Sequence, residues 1–291
     1  MNFISPQVIQ SKSKINYSYA TIKITQSRID KGLIAIPVEL AKLFPDYNTT
    51  IQVYLDDSNE LYEKNYSSYK STTRESRIGG MLDWFKKNKI KSEDEIIIQL
   101  IDKKHFIYRL ITENIFILNT KKFQVSFDNS ENELQASERI ACIVKWTNLN
   151  KKKVVINEYY RLINTIPNIE RQYIEKHSNR AREGISNNLR LLLCDIYQGH
   201  CQACNFWFLK KDNQPYFEIH HINPLLGKNP KNIILVCANC HRQFEYANVH
   251  PKFNDEGWLI KVLFNEKEHF INQIMVQTKF DEAVKHMFIL Q

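Results

Sequence analysis

Three short stretches in the last third of the chain decide how this part of the sequence folds. They are CQAC at residues 201–204, YFEIHHINP at residues 216–224 and NIILVCANCH at residues 232–241. Two Cys-x-x-Cys pairs are thus separated by 32 residues. Each pair suits a tight turn, and two turns can present four thiolates to one tetrahedral Zn²⁺. The predicted ligands of this structural zinc ion are Cys201, Cys204, Cys237 and Cys240.

Disulfides are the competing interpretation of these cysteines. Residues 1–6 lack a basic segment followed by an apolar one, and no apolar stretch is long enough to span a bilayer. A cytoplasmic protein is therefore expected, and the reducing cytoplasm favours zinc coordination over disulfides. The other two cysteines, Cys142 and Cys194, lie in apolar settings and are predicted to be ordinary buried residues.

The histidines around the second cysteine pair have the composition of a hydrolytic metal site. Hydrolysis of a phosphodiester needs a base for water and a cation for the pentacovalent phosphate. His220 and His221 lie on a predicted strand, where neighbouring side chains point to opposite faces, so they cannot do the same job. With His241 they could instead be further zinc ligands, but four thiolates already complete a tetrahedral ion.

These landmarks, in this order, resemble the HNH (ββα-metal) endonuclease family. The shared pattern is a strand ending in a histidine pair, a loop with an asparagine, and a helix that opens at Cys-x-x-Cys-His, over about residues 198–245. The resemblance implies that His221 is the general base and that Asn232 orients the loop and the base. It also implies that His220 and His241 hold a catalytic Mg²⁺ or Mn²⁺.

Two carboxylates are candidates for joining this metal shell. Glu218 lies two residues before His220, on the same strand face, and Glu245 lies one helical turn after His241. Neither receives a definite role from the sequence.

The net charge of +8 concentrates in the stretch that leads into and contains this motif. Residues 139–242 hold 16 Lys and Arg against 7 Asp and Glu, whereas residues 1–138 hold 19 against 18. A concentrated basic excess is what a phosphate-binding face needs, although a solvated basic helix would give the same count. The resemblance to HNH endonucleases, with which this basic excess is consistent, implies double-stranded DNA as the partner.

The N-terminal 120 residues show a strand-rich pattern interrupted by two short helices, Val38–Phe44 and Gly80–Lys89. This combination predicts a β-rich pseudobarrel. The predicted strands are Tyr19–Ile24, Leu33–Pro37, Thr50–Leu55, Glu95–Ile101 and Phe106–Ile111.

Two stretches in this region, GLIAIP at residues 32–37 and RIGGMLDWF at residues 77–85, resemble the B3-like DNA-recognition domain of several restriction endonucleases. The resemblance implies two loop arms in the major groove, Ser27–Lys31 and Lys70–Arg77. Their basic side chains suit guanine edges, although ordinary solvated loops have the same composition. The candidate DNA-binding residues are Arg28, Lys31, Lys70, Arg74 and Arg77.

A change in composition near Phe127–Glu138, which is polar and predicts a linker or loop, suggests a domain boundary. The predicted fold class is α+β, with a DNA-recognition domain at residues 1–125, a linker and helical connector at 126–180, and an HNH nuclease domain at 181–291. The predicted helices after the linker are Asn157–Ile163, Ile169–His177 and Arg180–Tyr197. Gly257–Phe264 is a predicted strand, followed by two amphipathic helices that end near Leu290.

Together these patterns predict a type II-like restriction endonuclease that cuts double-stranded DNA at a specific sequence with one divalent metal. Two other classes stay open. A modification-dependent or mobile-element HNH endonuclease would share the catalytic residues, whereas a non-catalytic zinc-containing DNA-binding protein would need only the cysteines. A homodimer would let two sites cut both strands. Neither a nucleotide cofactor nor a membrane contact is expected.

Overall fold

The structure, a computed structural model, describes residues 9–69, 75–171, 173–176, 179–182 and 184–276. The chain divides into two compact units, Met1–Val125 with Lys145–Asn148, and Ser126–Val144 with Leu149–Gln291. Helices and strands are both abundant, which confirms the α+β class. Across the described ranges, no helix has the length and apolar character needed to cross a bilayer.

The first unit contains a curled, open sheet of eight strands with three short helices. The strands are β1 (Gln10–Lys12), β2 (Tyr19–Lys23), β3 (Ile34–Ile36), β4 (Thr49–Leu55), β5 (Leu61–Ser67), β6 (Ser76–Ile78), β7 (Glu95–Asp102) and β8 (Ile107–Thr112). The helices are α1 (Gln26–Lys31), α2 (Val38–Ala41) and α3 (Leu82–Lys87). The strand order is β1-β2-β7-β8-β4-β5-β6-β3, with β4 and β8 parallel and the other pairs antiparallel. This half-barrel confirms the β-rich pseudobarrel.

A buried carboxylate ties three elements of this sheet together. Asp56, directly after β4, accepts hydrogen bonds from Trp84 Nε1 at 2.7 Å, Asn88 Nδ2 at 3.0 Å and the backbone N–H of Thr112 at 3.1 Å. Burial raises the pKa of Asp56, and the three donors favour its charged form. The end of β4 is therefore fixed against α3 and β8.

The prediction that Ser27–Lys31 forms a loop arm was wrong, because these residues belong to helix α1. Gly32 closes the helix with a φ of 61°, and its backbone N–H points to the carbonyls of Arg28 and Ile29. The predicted strands and the two predicted helices are confirmed. Strands β1, β5 and β6 were missed, and most of β5 is exposed, so its sequence has no apolar alternation.

Five further α-helices follow in the described residues; α4 lies mostly in the first unit, α5 lies mostly in the second, and the other three lie in the second unit. The helices are α4 (Glu113–Asp128), α5 (Glu133–Thr147), α6 (Lys151–Thr165), α7 (Asn187–Tyr197) and α8 (Ala238–Tyr246). The strands are β9 (Tyr173–Lys176), β10 (Asn179–Arg182), β11 (Glu218–His221), β12 (Ile233–Val236), β13 (Val249–Phe253), β14 (Leu259–Phe264) and β15 (Lys267–Phe270). They form three antiparallel sheets, β9/β10, β11/β12 and β13-β14-β15.

The predicted linker Phe127–Glu138 was wrong, because α4 runs into it and α5 begins within it. Its polar residues act as helix caps. Ser130 Oγ donates to the carbonyl of Phe127 at 2.7 Å, and Asn132 Oδ1 accepts from the backbone N–H of Gln135 at 2.9 Å. A cap-rich turn and a linker have the same composition, so the sequence could not separate them.

Two predicted helices also need correction. Ile169–His177 contains strand β9 instead of a helix, with His177 outside the described residues, and α7 begins at Asn187 because β10 occupies Asn179–Arg182. Toward the C-terminus, Lys267–Phe270 is a strand, and the remaining predicted helical stretch lies mostly outside the described residues. Cys142 is exposed, contrary to its predicted burial.

Candidate active site and metal centre

A hairpin and the helix that follows it position the predicted site. Strands β11 and β12 pair with His220 opposite Ile234 and His221 opposite Ile233. Cys237 directly follows β12 and is the N-cap of α8. Because Ile234 and Val236 are fully buried, the hairpin is anchored in a core that also contains three of the four cysteines.

The four predicted zinc ligands lie together. The sulfur atoms of Cys201, Cys204, Cys237 and Cys240 all lie within 4.8 Å of one another. The Sγ atoms of Cys204 and Cys237 are 3.7 Å apart. A tetrahedral Zn²⁺ with Zn–S bonds of about 2.3 Å places its sulfurs about 3.8 Å apart, so the donor set fits this ion.

The thiols in this cluster shift the pKa values of one another. A hydrogen bond from Cys240 is the main cause that lowers the pKa of Cys201 to about 4, and the Cys201 thiolate in turn raises the pKa of Cys240 far above its usual range. Four thiolates this close repel one another. A bound divalent cation would remove that repulsion, which is the chemistry of a structural zinc site.

His220 is held as a neutral ring. It stacks on Phe244 with ring centroids 4.3 Å apart and meets His241 edge-on at 5.1 Å. Burial, reinforced by the two neighbouring histidines, lowers the pKa of His220 to about 4. A neutral imidazole is the form that ligates a metal ion, so His220 is ready to do so near neutral pH.

His241 is oriented by a carboxylate on the neighbouring strand. Glu218 contacts Nδ1 of His241 and accepts a hydrogen bond from the Tyr216 hydroxyl, and both contacts are very short. The Tyr216 hydrogen bond lowers the pKa of Glu218, which keeps it ionised. This arrangement leaves Nε2 of His241 for a metal, in the manner of histidine ligands whose other nitrogen bonds a carboxylate. The link between Tyr216, Glu218 and His241 was missed by the sequence analysis.

Glu245, the second candidate carboxylate, lies farther from the His241 ring than Glu218 does. Its Oε1 is 3.9 Å from Nε2 of His241, and its Oε2 accepts from Arg242 at 2.6 Å.

Asn232 closes the loop that follows His221. Its side-chain oxygen accepts from the backbone N–H of Asn223 at 2.8 Å, and its amide donates to the carbonyls of Asn223 at 3.0 Å and Gly227 at 3.1 Å. The residue is buried. These bonds fix the backbone on the C-terminal side of His221.

Within the described part of the chain, three or more His, Cys, Asp or Glu ligand atoms lie within 4.8 Å of one another only in the cysteine cluster. A second ion at His220 and His241 would therefore complete its shell with water and phosphate oxygens. Mg²⁺ and Mn²⁺ commonly bind in this way.

The candidate DNA-binding residues of the first unit are partly brought together. Nη2 of Arg28 on α1 lies 2.8 Å from Oε2 of Glu75, so α1 lies beside the residue two positions before Arg77. The guanidinium of Arg77 on β6 lies 5.3 Å from the ring centroid of Tyr69. Lys31 is exposed in the last turn of α1. Lys70 and Arg74 lie outside the described residues.

The sequence of this site matches a known domain family. Residues 201–245 match the HNH endonuclease family, so this segment is an HNH endonuclease domain that contains a four-cysteine cluster. The chain is 36% identical over 55 residues to the type IV methyl-directed restriction enzyme EcoKMcrA of Escherichia coli (strain K12). The match covers 17% of this chain and 20% of that enzyme, so the chain spans about a fifth of the length of this relative.

Two solved structures share a low similarity with the chain. The Arabidopsis FUS3–DNA complex has a TM-score of 0.27 and 13% identity, over 32% of this chain and 92% of that chain. The N-terminal domain of Helicobacter pylori LlaJI.R1 has a TM-score of 0.25 and 17% identity, over 34% of this chain and 86% of that chain.

Proposed function

We propose that this chain is a restriction endonuclease that hydrolyses double-stranded DNA at a specific sequence. The observation that carries the proposal is the pair of imidazoles, His220 and His241, with ring centroids 5.1 Å apart on a hairpin and helix joined by the thiolate cluster. A zinc-containing DNA-binding protein without activity would need the cysteines alone. In such a protein, the contact by which Glu218 orients His241 would have no function.

Each residue of the site has a separate task in the proposed reaction. His220 and His241 hold a divalent ion, Mg²⁺ or Mn²⁺, which when bound neutralises charge on the phosphate. An imidazole nitrogen of His221 takes a proton from the attacking water, whose oxygen bonds to phosphorus as the bond to the 3′ oxygen breaks. Asn232 holds the loop after His221, which keeps the base aligned.

The first unit supplies the sequence preference in this proposal. We assign DNA recognition to residues 1–125, the connector to residues 126–180 and hydrolysis to residues 181–291. Arg28, Lys31, Lys70, Arg74 and Arg77 are the proposed DNA-reading residues. The ion pair between Arg28 and Glu75 supports a shared surface for Arg28 and Arg77, because it places helix α1 beside a residue two positions before Arg77.

A modification-dependent endonuclease is the second candidate, because the E. coli relative is described as methyl-directed. The experiment is digestion of one plasmid, unmethylated or methylated by several methyltransferases, with Mg²⁺ or Mn²⁺, followed by sequencing of the DNA ends. Defined ends on unmethylated DNA support the first proposal, and cleavage of methylated DNA alone supports the second. DNA binding without cleavage on any substrate would contradict both.

Glu218→Gln tests the carboxylate that orients His241. The amide keeps the size but loses the charge that fixes the ring, so we expect the Mg²⁺ or Mn²⁺ concentration for half-maximal cleavage to rise by about 10–100-fold. Cleavage at saturating metal should recover in large part. The control is Glu268→Gln, which removes the carboxylate of a surface ion pair with Lys261 on β14 and should leave the metal dependence unchanged. A normal metal dependence in Glu218→Gln would remove Glu218 from the site.

A further inference from the structure

Four consecutive large apolar side chains are exposed directly after the first cysteine pair of the four-cysteine cluster. Phe206 is 54% exposed, Trp207 45%, Phe208 44% and Leu209 50%. Single exposed apolar residues are common, but an exposed run of four is unusual unless it contacts a partner. We call residues 205–215 the aromatic hairpin.

The aromatic hairpin is held in place by its own backbone. Lys210 N–H donates to the carbonyl of Gln214 at 2.8 Å, and Tyr216 N–H donates to the carbonyl of Phe208 at 2.9 Å. At its base, Gly199 has a φ of 75°, and a Cβ there would lie 2.3 Å from Cβ of Pro215. Glycine is therefore required at this contact. The exposed rings thus project from a preformed turn.

The aromatic hairpin is connected to the proposed metal ligand through two side chains. The Phe208 ring stacks on Tyr216 with centroids 4.9 Å apart and planes at 17°. The hydroxyl of Tyr216 binds Glu218, which contacts His241. A continuous series of side-chain contacts therefore joins the Phe208 end of the aromatic hairpin to the proposed metal ligand His241.

The charges of the aromatic hairpin favour a polyanion over an apolar protein partner. Lys210 and Lys211 follow the apolar run and are exposed, and of these Lys210 pairs with Asp212 at 3.1 Å. Residues 139–242, which include the hairpin, hold 16 basic against 7 acidic side chains. Aromatic side chains next to lysines are suited to DNA, because the rings pack on bases and sugars while the cations meet phosphates.

We propose that the aromatic hairpin contacts duplex DNA next to the scissile phosphate, with Phe206 and Trp207 packed on base and sugar surfaces and Lys211 on a phosphate. This inference rests on the proposed function, since it names the second contact of the same substrate. Apolar side chains that pack on base steps in this way are known to help proteins hold distorted DNA.

Tryptophan fluorescence gives a direct test, because Trp207 is the one exposed tryptophan among four. Trp84, Trp146 and Trp258 are 4%, 4% and 3% exposed. The full chain carrying His221→Ala, which should keep the DNA intact, is titrated with duplex DNA. We expect the emission of Trp207 to be quenched and protected from acrylamide as DNA binds. The double variant with Trp207→Ala should show no such change.

Cleavage kinetics give the second measurement. Trp207→Ala should raise the KM for DNA on the order of ten-fold, with kcat within about two-fold and zinc content unchanged, and Trp207→Phe should restore KM. The matched control is Phe253→Ala on β13, because Phe253 is 44% exposed and Trp207 is 45% exposed. This variant should behave like the unsubstituted chain.

Three outcomes separate this inference from its alternatives. Unchanged Trp207 emission at saturating DNA, with a KM for Trp207→Ala equal to that of Phe253→Ala, would overturn the DNA contact. Emission that depends on protein concentration without DNA would overturn it too, and would indicate contact with a second copy of the chain. Quenching by DNA without cleavage by the unsubstituted chain would support the contact and count against the proposed function alone.

Discussion

His221→Ala is expected to reduce DNA cleavage by a factor of about 10²–10⁴, because it removes the proposed proton acceptor for water. His221 ends strand β11, next to the loop that Asn232 closes, and it lies outside the four-thiolate cluster. Zinc content and DNA affinity should therefore stay near those of the unsubstituted chain. Single-turnover cleavage with saturating Mg²⁺ or Mn²⁺ measures the chemical step, and a mobility-shift titration measures binding.

Two other histidine substitutions serve as a control and as a comparison for His221→Ala. His250→Ala changes an exposed histidine on β13 and should cleave normally. His220→Ala removes a proposed metal ligand, so raising the metal concentration should partly restore its activity, whereas it should not restore His221→Ala. Substantial cleavage by His221→Ala would show that another group takes the proton. A response of His221→Ala to added metal would instead place His221 in the metal shell.

The thiolate cluster and the hairpin around it were predictable because metal chemistry imposes local sequence rules. A Cys-x-x-Cys pair must form a tight turn, and two such pairs in one chain are typical of a tetrahedral zinc site. The strand alternation at His220 and His221 follows from the two-residue period of β structure. Such constraints act within a few residues, so they are visible in the sequence without any knowledge of tertiary contacts.

The contact between Glu218 and His241 could not be read in the same way. It joins residues 23 positions apart, and it depends on how β11 lies against α8. The sequence placed Glu218 on the correct strand face but offered it as a metal ligand. Only the tertiary structure shows that its carboxylate contacts Nδ1 of the His241 imidazole. The exposure of Trp207 is similarly invisible, because an aromatic run normally predicts a buried strand.

The sequence failed to predict helix α1 and the helix ends near Ser130 and Asn132 for a different physical reason. Asn132 and Ser130 cap helices, yet asparagine and serine are equally common in linkers. Arg28 lies on a helix of six residues that is ended by Gly32, too short to give a periodic signal. In both places the competing conformations share a composition, and tertiary packing selects one of them.

Cys201→Ser is expected to lose bound zinc and to destabilise the HNH domain strongly. Cys201, Cys237 and Cys240 belong to one buried cluster with Ile234, Val236 and Leu259, so the ion would be part of the domain core. Structural zinc in small domains contributes roughly 10–16 kcal/mol of binding free energy that is coupled to folding. Even a partial loss of several kcal/mol would lower Tm by about 10 °C or more in a unit of this size.

The measurement pairs zinc analysis of the purified chain with thermal unfolding followed by circular dichroism. Cys142→Ser is the matched control, because Cys142 is exposed and lies outside the cluster. It should keep both its zinc and its melting curve. A Cys201→Ser variant that melts normally with zinc still bound would mean that the ion does not need this thiolate. Normal melting after zinc loss would instead show that the core around β12 and α8 is stable without the ion, and that the cysteine cluster serves something other than folding.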